Sequence, residues 1–136
     1  MAHYPQSTSG LAYVSYPVGP TVSGLQLAAN ASANVKGVYG EFVASTSVEY
    51  NNIKFIMQNP ELTTTGARHM IDLATGAAAS EVVKIPDMIA SNGGGFNASF
   101  QLELPMAIAA STRIAGRCQS STGGNDAFVG ITLAAS

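Results

Sequence analysis

Charged side chains are scarce in this chain, and their scarcity argues against several classes of function. Asp, Glu, Lys and Arg make up 10% of the 136 residues, whereas a typical soluble domain carries roughly a quarter. The net charge is −2, and the six basic residues are spread out apart from Arg113 and Arg117. Nucleic-acid binding normally requires clustered Lys and Arg, so the sequence predicts no nucleic-acid partner.

Cysteine, metal ligands and catalytic motifs are also few. The single cysteine, Cys118, excludes an internal disulfide. His3 and His69 lack partner ligands at metal spacing. Gly-x-Ser-x-Gly is absent, and Gly93–Gly95 is not followed by the Lys-Ser/Thr of a phosphate loop. No apolar run approaches the length of a membrane span. The sequence therefore predicts no enzymatic activity, no cofactor and no membrane partner.

The exterior must then be built largely from Ser, Thr, Asn, Gln, Gly and Ala. Such side chains lose little hydration and little conformational entropy on burial, which suits contact with partner proteins. A monomer with a neutral surface is the alternative. Because low charge is a solubility risk for a free monomer, we expect a homo-oligomer.

Alternation of apolar and polar residues is the clearest structural signal. From Phe96 to Leu104 the apolar residues fall at even positions and the polar residues at odd positions, as in a strand with one buried face. Similar short runs recur between turn signals, which predicts an all-β fold, an antiparallel jelly-roll-like β-sandwich over residues 25–136. Pro86 and Pro105 are expected to end two of its strands. The predicted strands cover residues 24–29, 34–38, 41–45, 53–58, 68–74, 81–85, 96–104, 112–119 and 127–133.

Residues 1–24 differ from the rest of the chain in composition. Three prolines and three glycines occur there, a density that excludes a helix or a central strand. The aromatic residues between them predict an extended N-terminal arm that lies on a protein surface, although a frayed terminus is the alternative. The candidate anchors of this arm in a protein interface are Tyr4, Tyr13 and Tyr16.

Two arginines near the end of the chain are further candidates for a protein interface. Arg113 and Arg117 are four residues apart, so on a strand they share one face at a separation of ~13 Å. They could pair with acids such as Glu103 or Glu81, or form contacts across a subunit boundary. The sequence leaves open whether this face is solvated or buried between subunits.

Asp72 and Glu81 flank a loop that begins at Gly76. Two carboxylates in this position could hold a divalent cation or act as acid and base. The favoured interpretation is that Asp72 accepts hydrogen bonds from backbone or Ser/Thr groups at the loop, since no Asp-x-Asp-x-Asp series of ligands is present.

Three stretches resemble, in their order and spacing, a family of small virion structural domains of tailed bacteriophages. This family occurs in capsid decoration proteins and in tail- or fibre-associated proteins. The stretches are Gly40–Ser47, Ile71–Pro86 and Leu104–Ser121. The third is the most specific, because family members often read Pro-Ala-Gly-Thr-Arg-Ile-Ala-Ala-Arg there. This chain departs from that pattern with Ala109-Ala110-Ser111 before Thr112 and with Gly116 before Arg117.

The resemblance covers roughly residues 38–134 and implies a β-sandwich located in the virion after synthesis in the host cytoplasm. The favoured role is a capsid decoration protein that binds the major capsid protein or other virion proteins, associating as a trimer. The alternative is a tail-tip or fibre-associated module that binds a receptor or carbohydrate. For that role Tyr50 or Phe128 could supply an exposed aromatic ring, although the chain has no Trp.

Overall fold

The protein is built from β-strands. The computed structural model describes residues 13–16, 24–58, 68–91 and 99–135, and this part of the chain contains no helix. Its nine strands are β1 (Tyr13–Tyr16), β2 (Leu25–Leu27), β3 (Gly40–Val43), β4 (Tyr50–Gln58), β5 (Arg68–Thr75), β6 (Val82–Ser91), β7 (Ser99–Ile108), β8 (Ile114–Ser120) and β9 (Ala127–Ala134).

The strands form two antiparallel sheets. In the first sheet, β9 pairs with β4 on one side and with both β1 and β2 on the other, and β7 pairs with the far side of β4. The second sheet has the order β3-β8-β5-β6. Strands at equal distances in sequence order from the β5–β6 turn pair with each other. These pairs are β5–β6, β4–β7, β3–β8 and β2–β9. The predicted antiparallel β-sandwich is confirmed, and its jelly-roll-like order stays a prediction.

The core lies between the two sheets and is formed by alternate residues of their strands. In β9, Ala127, Val129, Ile131 and Leu133 are buried and the residues between them are half-buried, the alternation expected of a strand with one buried face. The other strands of both sheets contribute large, fully buried side chains to the same core. They include Leu27, Ile53, Phe55, Met57, Ile71, Leu73, Ile108 and Ile114.

The expectation that two prolines end strands is wrong. β6 continues through Pro86 and β7 continues through Pro105. Both strands lie at sheet edges, where one side of the strand needs no partner and a missing N–H is tolerated. The β5–β6 register also shifts between Ile71 and Leu73, which creates a bulge in β6 beside Pro86.

Residues 34–38 do not form the strand that the sequence predicts. This segment instead runs along the edge of β8, where the backbone N–H groups of Asn34 and Gly37 donate to the carbonyls of Ser120 and Cys118. The segment then leads into β3, which continues along the same edge of β8. Its position allows side chains such as Lys36 to reach across β8 to β5.

The first strand falls inside the predicted arm. β1 covers residues 13–16 and pairs with β9, and its residues Val14 and Tyr16 pack against the core. Tyr4 and the side chain of Tyr13 lie outside what the structure describes. The division of the chain at residue 24 therefore stays a prediction.

Candidate functional site

The outer face of the second sheet carries a buried carboxylate at its centre. Ile71 and Leu73 of β5 point into the core, so the alternation of the strand directs Asp72 to the opposite face. There it lies directly opposite Arg117 of β8. Asp72 is nevertheless only 3% exposed, because the segment along the edge of β8 supplies Lys36 as a cover.

Asp72 is surrounded by three donors. Lys36 Nζ lies 2.7 Å from its Oδ1, and Arg117 Nε donates to its Oδ2 over 2.8 Å. The backbone N–H of Asp87 also donates to Oδ1, over 2.8 Å. Lys36 Nζ lies 2.8 Å from the carboxylate of Asp87 as well. These four residues are called the Asp72 cluster below, and they join the edge segment, β5, β6 and β8.

The bulge in β6 places one of these donors. Asp87 has a φ of 49°, in the left-handed region that Asp adopts more readily than most residues. The register shift leaves Asp87 without a paired position on β5, and its N–H donates to Asp72 Oδ1. The ring of Tyr39 adds a contact on the other side of the cluster, since the guanidinium carbon of Arg117 lies 4.8 Å from the ring centre.

The electrostatics hold Asp72 ionised. Burial alone would raise the pKa of this carboxyl, but the hydrogen bonds from the Asp87 backbone, Lys36 and Arg117 outweigh burial and lower the pKa below its ordinary value of 3.8. A carboxylate with its oxygens occupied by donors is suited to fastening strands together. It is poorly suited to accepting a proton from a substrate near neutral pH.

A second group of charges lies at the start of β8. Arg113 Nε lies 2.7 Å from the Glu41 carboxylate, and Arg113 Nη1 lies 3.0 Å from that of Glu81. Nη1 also donates to the Gly76 carbonyl over 3.2 Å. The hydrogen bond to Glu41 is the main cause of a raised pKa for Arg113. Arg113, Glu41 and Glu81 are called the Arg113 cluster, which ties β3 to the β5–β6 turn.

The clusters decide between several sequence-based interpretations. The Arg113–Glu81 pair is confirmed, whereas Glu103 lies in the other sheet, opposite Lys54. Asp72 and Glu81 do not come together as a cation site or acid–base pair, because each is held by a different arginine. Across the described ranges, no group of three or more His, Cys, Asp or Glu is placed to hold a metal ion.

The favoured interpretation of Asp72 is confirmed in one respect. It accepts a backbone hydrogen bond, although the donor belongs to the β6 bulge and not to the Gly76 loop. The role of Lys36 could not be read from the sequence. It is 36 positions from Asp72, and nothing in its immediate neighbours marks it as a partner.

The side chains of Cys118 and His69 are also buried inside the sandwich. The thiol of Cys118 donates to the Leu27 carbonyl, and burial raises its pKa to about 11, so the residue is an inert part of the core. His69 is 1% exposed, with Nε2 3.0 Å from the Asn125 carbonyl oxygen. Burial lowers the pKa of His69.

Much of the charge on the second sheet is therefore paired within the chain. Three of the six basic and four of the eight acidic residues lie in the two clusters, where each has an oppositely charged partner. Exposed apolar side chains border the same sheet on both sides. Val35 and Val38 lie on the segment at the β8 edge, and Val82 and Ile89 lie on β6.

Comparison of the chain with models of protein families, with curated proteins and with solved structures gives no match. Within the described part of the chain, no helix is long and apolar enough to cross a membrane.

Proposed function

We propose that the protein is a structural component of a tailed-phage virion, and specifically a capsid decoration protein that binds and stabilises the head shell. The single observation that carries this proposal is the internal pairing of charge on the second sheet. The resemblance of three sequence stretches to small phage virion domains is the reason for proposing a virion as the assembly.

Internal pairing makes a surface easier to bury. The core of a protein interface is depleted in charge, because an unpaired charge loses hydration when a partner covers it. In the two clusters the charged groups already have partners within the chain, so a contacting protein need not supply them. The exposed apolar residues at the sheet edges add area whose burial is favourable.

The partners in this proposal are the major capsid protein, other virion proteins and further copies of this chain, associated as a trimer. The sandwich, with β1 in its first sheet, provides a rigid body, and the part of the arm that precedes β1 extends over neighbouring shell subunits. Arg113 and Arg117 lie in these interfaces with their charges already paired, since each forms an ion pair within the chain. Each contact between subunits raises the force needed to pull the shell apart.

Truncation of the arm tests this mechanism. Removing residues 1–12 leaves β1 in place, so we expect the purified variant to fold like the complete chain but to be lost from particles during purification. Removing residues 1–24 also removes β1, and with it the packing of Val14 and Tyr16. Both truncations should abolish retention, measured as the amount of chain per particle on stained gels.

The shorter truncation is the decisive variant, because its thermal unfolding should match that of the complete chain. Unchanged occupancy of particles by both truncated chains would contradict a role for the arm in attachment.

The alternative of a receptor- or carbohydrate-binding module of the tail retains one of its two aromatic candidates. Phe128 points away from the core on the first sheet but is half-buried, and it does not line the shallow depression of about 320 Å³ that the same strand borders. The other aromatic candidate is wrong, since Tyr50 is only 2% exposed. The depression is lined by Asn52, Lys54, Ile56, Glu103, Thr132 and Ala134.

A further inference from the structure

The turn between β8 and β9 (residues 121–126) holds β2 and the residues after it in place. Asp126 Oδ2 accepts from the side-chain amide of Gln26 over 2.6 Å, and its Oδ1 accepts from the Ala29 N–H over 2.9 Å. A backbone N–H of the turn also donates to the Asn30 carbonyl over 2.9 Å. The position of this end of the sandwich therefore depends on the conformation of the β8–β9 turn.

A buried histidine supports this turn from inside the sandwich. His69 of β5 lies between Ala90 of β6 and Ser120 of β8, and its side chain is almost completely buried. Its Nε2 lies 3.0 Å from the carbonyl oxygen of Asn125. Because a carbonyl oxygen only accepts hydrogen bonds, Nε2 carries the proton and donates to the turn.

The other ring nitrogen has no such contact. In the neutral ring Nδ1 is an acceptor without a proton, and it is buried with no hydrogen-bond partner among the described residues. A second proton would make Nδ1 a buried donor and give the ring a positive charge, both of which are unfavourable without a partner. The pKa of His69 is accordingly lowered, with burial as the main cause.

One acid acts against this effect. The negative charge of Asp126 favours the protonated ring, but both carboxylate oxygens already accept the hydrogen bonds from Gln26 and Ala29. Asp126 could therefore pair with an imidazolium only by giving up contacts to β2 or to the residue that follows it closely. The same carboxylate cannot hold the turn and neutralise His69 at once.

The other elements around the ring offer no alternative charge. β2, β9 and residues 28–34 contain no charged or titratable residue. Cys118 on the inner face of β8 stays neutral, since its pKa is raised to about 11. In the facing sheet, Tyr50 lies at the far end of β4, near Tyr16. Charged residues of the surrounding strands lie on outer faces or are exposed: Lys36, Lys54, Arg68, Asp72, Lys84, Asp87, Glu103 and Arg117.

We propose that His69 is an acid-sensitive latch for the β8–β9 turn, which opens when the buried ring takes up a proton from solvent at mildly acidic pH. In the open turn, water solvates the Nδ1–H, or Asp126 leaves Gln26 and Ala29 to pair with the imidazolium. Either change separates the turn from β2 and the residues after it. This response to pH goes beyond the proposed role in a virion and does not depend on it.

The direction of the response follows from the two forms of the turn. The closed form binds a proton less readily than the open form, in which the ring has its ordinary pKa of 6.5. The closed turn is therefore fully favoured above this pH and is weakened as the pH falls below it. At pH 5.5, one unit below the ordinary value, protonation favours opening by up to about tenfold.

Hydrogen–deuterium exchange of the purified protein at pH 7.5 and pH 5.5 measures this opening, after correction for the intrinsic pH dependence of amide exchange. Protection of residues 121–126 and 26–34 should fall at pH 5.5 by up to about tenfold. Residues 50–57 of β4 should keep their protection. An equal loss in β4 would show global unfolding instead of release of the turn, and would overturn the proposal.

Two variants assign the response to one histidine. The side-chain amide of His69→Gln can still donate to the Asn125 carbonyl, but it does not titrate in this range. Its protection should therefore be the same at both pH values. The matched control is His3→Gln, which removes the other histidine of the chain and should leave the response intact. A response that survives His69→Gln, or that is lost in His3→Gln, would overturn the proposal.

An NMR titration of the unmodified protein gives a test that does not require the variants to fold. We expect the ring signals of His69 and the amide signals of residues 121–126 to change together, with a midpoint below 6.5. Ring signals that titrate without a change in the turn, or that do not titrate before the whole protein unfolds, would show that His69 does not act as a latch.

Discussion

Replacing Asp72 with Asn should destabilise the protein by about 3 kcal/mol, the largest effect of any single carboxylate outside the core. The Asp72 carboxylate accepts from Lys36, Arg117 and the backbone of Asp87. The Asn side chain has the same shape, but an NH2 group replaces one of the carboxylate oxygens. That group cannot accept a hydrogen bond, so the positive charge of Lys36 or Arg117 beside it loses its negative partner. The expected loss lies at the low end for buried ion pairs, since the side chains of Lys36 and Arg117 are 18% and 31% exposed.

The matched control is Asp87→Asn. Its carboxylate also contacts Lys36, but the side chain is 61% exposed. Its contribution should therefore be below ~1 kcal/mol. Urea denaturation of the two variants and of the unmodified protein provides the comparison. Equal losses for the two substitutions would contradict the view that Asp72 organises the cluster.

The pH dependence of unfolding gives a second readout of the same prediction. The folded-state pKa of Asp72 is lowered below its ordinary value of 3.8, so the folded protein binds a proton less readily than the unfolded chain. The stabilisation from this group is fully present above about pH 3.8 and is lost as the pH falls through the lowered pKa. The Asp72→Asn variant should lack this component of the acid-induced loss of stability.

Replacing Gly37 with Ala should cost about 3 kcal/mol, the upper range for inserting one extra group into a packed site. A Cβ at this position would overlap the backbone carbonyl oxygen of Ala28. A backbone atom cannot move aside as a side chain can. The substitution should also weaken the bond from the Gly37 N–H to Cys118 and displace the neighbouring Lys36 from the Asp72 cluster.

Gly124→Ala is the control for backbone strain alone. Gly124 has a φ of 65°, but nothing lies within 4 Å of the position that a Cβ would occupy. The strain of a left-handed conformation should cost about 1 kcal/mol. Thermal unfolding of the two variants measures the difference. A Gly37→Ala protein as stable as the Gly124→Ala protein would show that the Ala28 contact is easily relieved.

The predictable part of this fold is the part that depends on local alternation. The buried and outward faces of β8 and β9 follow from the sequence, because successive side chains of a strand point to opposite sides wherever it lies. The same rule fails for Tyr50. A register shift between Tyr50 and Asn52 reverses the alternation of β4, so Tyr50 joins Ile53 in the core.

The unpredictable part depends on which strands become neighbours. Pro86 and Pro105 are compatible with strands only because β6 and β7 form sheet edges, and edge positions are a property of the complete fold. The Asp72 cluster illustrates the same limit. Arg117 of this cluster lies on a predicted strand. Lys36, however, contacts Asp72 from residues 34–38, which the sequence predicts to form a strand and which do not form one.

The proposed role in a phage virion is tested most directly by the number of copies of this chain in each purified virion. Quantitative mass spectrometry against the major capsid protein gives this ratio. A decoration protein of the head should be present in hundreds of copies, in a fixed proportion to the shell subunit. A handful of copies would contradict decoration of the shell and favour the tail, and complete absence from particles would contradict a structural role in the virion.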